Sequence, residues 1–248
     1  MDNVENTKKV VVIIVEGISD KVSFENYLNM LSSDKSIFFS VYDGDCFTDY
    51  EQSEKTTKDL IKEIVEKCAA EENFKVDDVA MIIQLTDTDG VFAKNVIRHD
   101  PSLTFEDSTM YFEDKILTRD VIKFTETQNY KRERIIDCLS TSVIEINQLK
   151  KIPYEIYYMS CNLECALYGI YNATEEDKQN FSEDFSTKYS EEQIDDFISF
   201  MNSINASGTL ELKESWTYVM KDNNSLKPCS NFIIYLLKLL TQKRTLPN

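Results

Sequence analysis

Acidic residues and glycine follow three of the apolar stretches of this chain. Glu16-Gly17 follows the β-branched run Val10 to Val15, Asp43-Gly44-Asp45 follows Ile37 to Tyr42, and Asp87-Thr88-Asp89-Gly90 comes directly after Val79 to Leu85 and Thr86. Carboxylates are hard oxygen donors. Mg²⁺ prefers such donors and keeps several of its waters, so a few acids at one edge are enough to hold it. An ion held in that way can clamp a phosphate and activate a water or hydroxyl. Along an extended D-x-D segment both aspartates point to the same side, so Asp87 and Asp89 are expected to face one ion together with Glu16. Each feature also has a plainer source. Acids at strand ends commonly cap helices, and a chain with 44 acidic residues contains some D-x-D by chance. The combination is more specific: an apolar strand ending in Glu-Gly and, about seventy residues later, one ending in Asp-x-Asp-Gly.

The elements that must position these acids follow from the apolar pattern. Val10 to Val15 is unbroken, as in a strand buried on both faces of a parallel sheet. Ser19 and Asp20 offer N-caps to a helix whose Phe24, Tyr27, Leu28 and Leu31 fall at i, i+3, i+4, i+7. Thr56 and Thr57 can cap a second helix running to about Ala70. Strand, helix, strand, helix, strand implies right-handed crossovers and a parallel sheet, with its site outside the carboxyl ends of the strands. A fourth strand is expected over Tyr154 to Met159. After it come Ser160-Cys161-Asn162 and a helix through Leu163, Glu164, Leu167 and Tyr168. The fold class expected is therefore α/β: a parallel sheet flanked by helices over 1–170, with a helical, basic insertion about 91–150, mostly helical from Ile116 to Leu149. Residues 174–196 are acidic and read as a solvated helical face or linker. Helices near 191–204 and 229–242 would complete a helical cap over 171–248.

Bulk composition narrows the classes. Of 248 residues, 42% are hydrophobic, enough for one sizeable core, while five Gly and four Pro disfavour a turn-rich all-β protein. The formal charge of −17 argues against a generic nucleic-acid binder, less so where a metal ion reverses the local sign. Six scattered cysteines form no CxxC pair and read as small core residues in a reducing compartment. A polar start and the lack of any apolar run near ~20 residues point to a cytoplasmic protein with no membrane partner. His99 is the single histidine and reads as a surface residue, so Ser-His or Cys-His catalysis is poorly supported. Trp216 reads as core. The basic residues Lys123, Lys131, Arg132, Arg134, Lys150 and Lys151 form the best electrostatic candidate for a nucleic-acid track, with an ordinary solvated helix face as the equal alternative.

These segments carry a resemblance. VVVIIVEGISDKVSFENYL is similar to the first motif of TOPRIM domains, a glutamate after the first strand, and IIQLTDTDG to the second, the DxD. Asp20, four residues after Glu16, resembles the ExxxD or ExxxE pattern of the OLD-like branch. SCNLECALYG resembles the later strand-to-helix segment of that branch, making Ser160, Asn162 and Glu164 site candidates. The resemblance covers roughly 8–170, with 91–150 unmatched. It implies a Mg²⁺- or Mn²⁺-dependent nuclease acting on DNA or RNA phosphodiesters. Asp87 and Asp89 would hold one ion, Glu16 would be a ligand or general acid/base, Asp20 and Glu164 would help hold a second, and Asp45 would stand behind them. The lysine expected near the phosphate has no clear match, Lys150 and Lys151 being the nearest candidates. OLD proteins carry an ATPase domain ahead of the toprim part. This chain has no Walker A motif, which is what the stand-alone effector of an anti-phage defence system would show, controlled by a separate ATPase or inhibitor protein and open to oligomerisation.

Two other readings stay open. TDTDGVF also resembles the first motif of HAD phosphatases, with Asp87 as nucleophile and Asp89 as acid/base, although two strand-helix units precede it. A non-catalytic toprim module, binding or regulatory, would also fit an acidic surface facing a basic partner.

Overall fold

β-branched residues that cannot all face one way dictate a sheet covered on both sides. The computed structural model describes residues 9–32, 37–43, 47, 54–104, 108–147 and 150–245. In it the first strand, β1 (Lys9–Val15), is buried from Val10 onward. Val11, Ile13 and Val15 pack on α1 (Ile18–Leu31) through Phe24, Tyr27, Leu28 and Leu31. Val10, Val12 and Ile14 pack on the opposite layer, on Leu60, Ile61, Val65 and Cys68 of α2 (Thr57–Glu71) and on Ile135 and Cys138 of α3 (Val121–Leu139). This period-two division of one strand between two helical layers is the signature of an α/β sandwich.

The main sheet has the order β2-β1-β3-β8-β7. β2 (Ile37–Asp43), β1, β3 (Val79–Asp87) and β8 (Lys151–Met159) are mutually parallel. β7 (Val143–Glu145) adds an antiparallel edge, so the sheet is mixed and mostly parallel. β1 and β3, far apart in sequence, are neighbours, with Ile13 opposite Ile83 and Ile14 opposite Gln84. Their carboxyl ends, and that of β8, open on the same edge.

The expected helical insertion is corrected. Residues 97–118 hold a second small sheet, β4 (Ile97–His99), β5 (Thr109–Tyr111) and β6 (Ile116–Thr118), in the order β4-β6-β5. Its small core is Val96, Ile116 and Leu226. Strands of three residues are too short to show an alternating pattern, so nothing in the sequence announced them. The helix that follows is α3, 121–139, shorter than Ile116 to Leu149.

Beyond β8 come α4 (Leu163–Tyr168), α5 (Glu175–Ser186), α6 (Ile194–Ser203), α7 (Leu212–Val219) and α8 (Ile233–Thr245). The acidic α5 exposes most of its surface but sends Phe185 inward, its ring centroid 5.9 Å from that of Phe24 and 5.5 Å from that of Tyr27. Phe197, Met201, Phe232 and Leu236 join the same core as β1 and α1. Trp216 is buried against Tyr158 and donates its indole N–H to the Ile156 carbonyl at 3.0 Å. Cys68, Cys138, Cys161, Cys165 and Cys229 are buried thiols. Among the described residues, no helix is long and apolar enough to cross a membrane.

Candidate functional site

The pairing of β1 with β3 sets Glu16 beside Thr86 and Asp87. Glu16 Oε1 accepts from the Thr86 hydroxyl and from the Asp87 backbone N–H, the latter at 3.1 Å. Two acidic motifs seventy residues apart are thereby joined by a direct bond. Asp20, expected as a helix cap, sits instead at the third position of α1. Gly17 is the N-cap, and Asp20 Oδ2 accepts the Gly17 N–H at 3.1 Å. The helix start thus turns the Asp20 carboxyl back toward the strand ends.

Asp89 is not reached by strand alternation, and the expectation of an extended D-x-D is corrected. β3 ends at Asp87. Asp89 and Gly90 both have positive φ, 45° and 68°, and the Val91 N–H donates to the Thr88 carbonyl at 2.8 Å. Positive φ at both central residues is the type I′ turn pattern. Asp89 tolerates it better than most residues because Asp visits the left-handed region more readily than bulky types do. Gly90 is needed for a second reason: a Cβ there would overlap Leu226 Cδ2 and lie 3.1 Å from Ile116 Cδ1. The turn is anchored by Asp89 N–H to the Cys161 carbonyl at 2.8 Å and by Thr88 Oγ1 to the Ser225 carbonyl at 2.8 Å.

What joins Asp89 to Glu16 is a residue that sequence reasoning placed elsewhere. Lys131 was grouped with the basic track, but it is 1% exposed and its Nζ donates to Glu16 Oε2 at 2.8 Å and to Asp89 Oδ2 at 2.6 Å. Burial works against its ammonium, yet the charges of Asp89, Glu16 and Asp87 push its pKa well above the usual lysine value. The signal was present in the spacing. Phe124, Gln128, Lys131, Ile135 and Cys138 lie on one stripe of α3, and a lysine on the inward stripe of a helix must meet a buried acid.

One ammonium does not balance the acids. Asp87 is pushed well above the ordinary carboxylate range, first by burial and then by Asp20, Glu16 and Asp89, with Lys131 only partly opposing. Asp20, also buried, is raised to about 7 by burial and by the charges of Glu16 and Glu164. Glu164, 4% exposed at the start of α4, is raised by burial, against the opposing pull of a backbone hydrogen bond and of Lys178. Tyr111, half-buried on β5, has its phenol pushed up by burial and by Asp89, which places the small sheet within the field of the same acids.

The remaining candidates divide. Ser160 Oγ donates to the Asn224 carbonyl at 2.9 Å, and Asn162 Oδ1 caps α4 by accepting the Cys165 N–H at 2.9 Å. Both are spent on structure rather than standing behind the acids. Asp45 lies outside the described residues. The basic track is broken up. Arg134 is buried, donating to Lys55 O at 3.1 Å and to Tyr130 Oη. Arg132 donates to Asn129 Oδ1 at 2.7 Å, Lys150 to Asp77 O at 2.9 Å, and Lys151 pairs with Glu145 at 2.6 Å. Lys123 is exposed beside an open cleft of about 720 Å³ that His99 and Arg119 also line.

The donor set suits a hard divalent ion: buried carboxyls in excess over the one ammonium between them. Among the described residues, however, no group of three or more acidic, histidine or cysteine side chains is arranged to hold a metal ion, and the position between Glu16 and Asp89 is taken by Lys131. Set against known protein families, curated proteins and solved structures, the chain finds no match.

Proposed function

We propose that this chain is a Mg²⁺- or Mn²⁺-dependent nuclease-type protein of the TOPRIM class, acting on nucleic-acid phosphodiesters. The observation that carries the reading is the junction of its two acidic motifs. Glu16 accepts the Asp87 N–H and shares Lys131 with Asp89, all at the carboxyl ends of adjacent parallel strands. Glu16, Asp87 and Asp89 would hold the ion, with Asp20 and Glu164 beside them. When bound, the ion would supply Lewis acidity toward a phosphoryl oxygen and an acidified water. The chain itself contributes fixed positions. Thr86 and the Asp87 amide orient Glu16, the type I′ turn presents Asp89, and the Gly17 N–H orients Asp20. The buried cysteine thiols suit a cytoplasmic setting.

A net charge of −17 leaves the grip on a polyanion to the ion or to a second protein, which is where a separate ATPase would enter. The test is a cleavage assay on single- and double-stranded DNA, tRNA and structured RNA with Mg²⁺ or Mn²⁺, alone and with a co-encoded ATPase. Glu16→Gln and Asp87→Asn should each lower cleavage by about a hundredfold or more. Wild-type protein that cleaves none of these with either metal and either composition sinks the proposal.

The phosphatase reading gains one observation, a lysine beside the DTDG segment. A beryllium-fluoride adduct on Asp87, seen by mass spectrometry or NMR, would move the assignment to that chemistry.

A further inference from the structure

The carboxylate edge carries its own cation. Lys131 reaches it from the inward stripe of α3, with Nζ 2.8 Å from Glu16 Oε2 and 2.6 Å from Asp89 Oδ2. Glu16 Oε1 is already engaged by the Thr86 hydroxyl and the Asp87 N–H. The oxygens of Glu16 and Asp89 that face each other are therefore the two that the ammonium holds. A divalent ion seeking the same oxygens would lie within a few ångströms of Nζ, where like-charge repulsion is severe in a poorly hydrated site.

We infer that Lys131 is the resident counter-ion of the metal-free protein and that a divalent cation binds by displacing it. Metal uptake is then coupled to departure of the Lys131 side chain from the carboxylate edge. The lysine stem has four carbons and several rotatable bonds, so a change of rotamer can withdraw the ammonium from Glu16 and Asp89. The exchange leaves Glu16 and Asp89 with a cation between them in both states, which matters because removing one partner of a buried ion pair is strongly destabilising. The inference rests on the proposed reading of this edge as a divalent-cation site.

Two measurements on the full chain test it. The first is calorimetric titration of Mn²⁺ into wild-type protein and Lys131→Met, with thermal melts of each. Lys131→Met should bind Mn²⁺ about tenfold or more tightly. It should also melt below wild type without metal and close that gap when saturated. The second needs no variant: acylation of wild-type lysines, followed by peptide mass spectrometry, with and without saturating Mn²⁺. Lys131 should be protected in the metal-free protein and become reactive with the ion bound. Equal Mn²⁺ affinity in both proteins, with Lys131 reactivity unchanged by metal, overturns the displacement and leaves the metal site standing. Absence of Mn²⁺ binding in both proteins overturns the displacement and the metal reading together. If Lys131→Met does not fold, the wild-type labelling decides alone.

Discussion

Asp20 titrates near 3.8 when unperturbed and near 7 in the folded chain, raised by burial and by the charges of Glu16 and Glu164. Between those values the folded state binds a proton that the unfolded state has released. Stability contributed by this group is thus fully present below about pH 4, is lost as pH climbs toward 7, and is level above that. Asp20→Asn keeps an oxygen for the Gly17 N–H but cannot ionise. Urea unfolding of the metal-free proteins should therefore show wild type losing stability relative to Asp20→Asn from roughly pH 4 to 7 and staying level above. Parallel pH profiles would mean that Asp20 is not held protonated. The placement of single residues was partly legible in advance. Glu16, Asp87 and Asp89 could be found because they end apolar runs. Lys131 was misplaced because charge invites a surface reading, although its stripe on α3 pointed inward. Ser160 and Asn162 were attractive by position only; their hydrogen bonds go to backbone.

At the scale of elements, the DTDG turn is the part most exposed to a small change. Gly90→Ala sets a side chain at φ +68° and into Leu226, which is itself fully buried. A loss of about 1–3 kcal/mol in unfolding free energy is expected, and, on the proposed reading of the edge as a cation site, weaker Mn²⁺ binding as well, because the turn presents Asp89. Unchanged stability would show that the turn can relax. The N-cap of α3, where Asp120 Oδ1 accepts the Lys123 N–H at 3.0 Å, is a milder case: Asp120→Ala should cost about 1 kcal/mol in the same measurement. The long buried strands were readable because a continuous apolar run has few other fates: β1 and β2 came within a residue of their bounds and β3 needed two more. β8 was longer than read, starting at Lys151 rather than Tyr154, because its outer half alternates and includes Pro153. The small sheet over 97–118 and the helix α7 were not readable. Three-residue strands carry no periodicity, and their pairing is decided by tertiary contacts around Ile116 and Leu226.

For the whole molecule, the charge of −17 and the dispersal of the basic track make an ion-poor encounter with nucleic acid weak. Binding measured by anisotropy over a salt series should give a shallow dependence, fewer than about two phosphate contacts' worth. Lys123→Glu, altering an exposed residue, should reduce that slope by about one. Arg134→Glu should instead damage folding, because Arg134 is buried and hydrogen-bonded to Lys55 and Tyr130. A steep slope sensitive to Arg134 alone would restore the track. The segment 224–231 has a further consequence. Its carbonyls and side chains receive Thr88 and Cys161 through Ser225, Ser160 through Asn224, and Tyr158 through Asn231, and Thr88 and Ser225 are separated by 137 positions. During translation the acidic loop after β3 emerges long before the stretch that braces it. The carboxylate edge is thus finished only once residues 224–231 have left the ribosome, and a nascent chain stalled before residue 224 would carry the acids without the geometry.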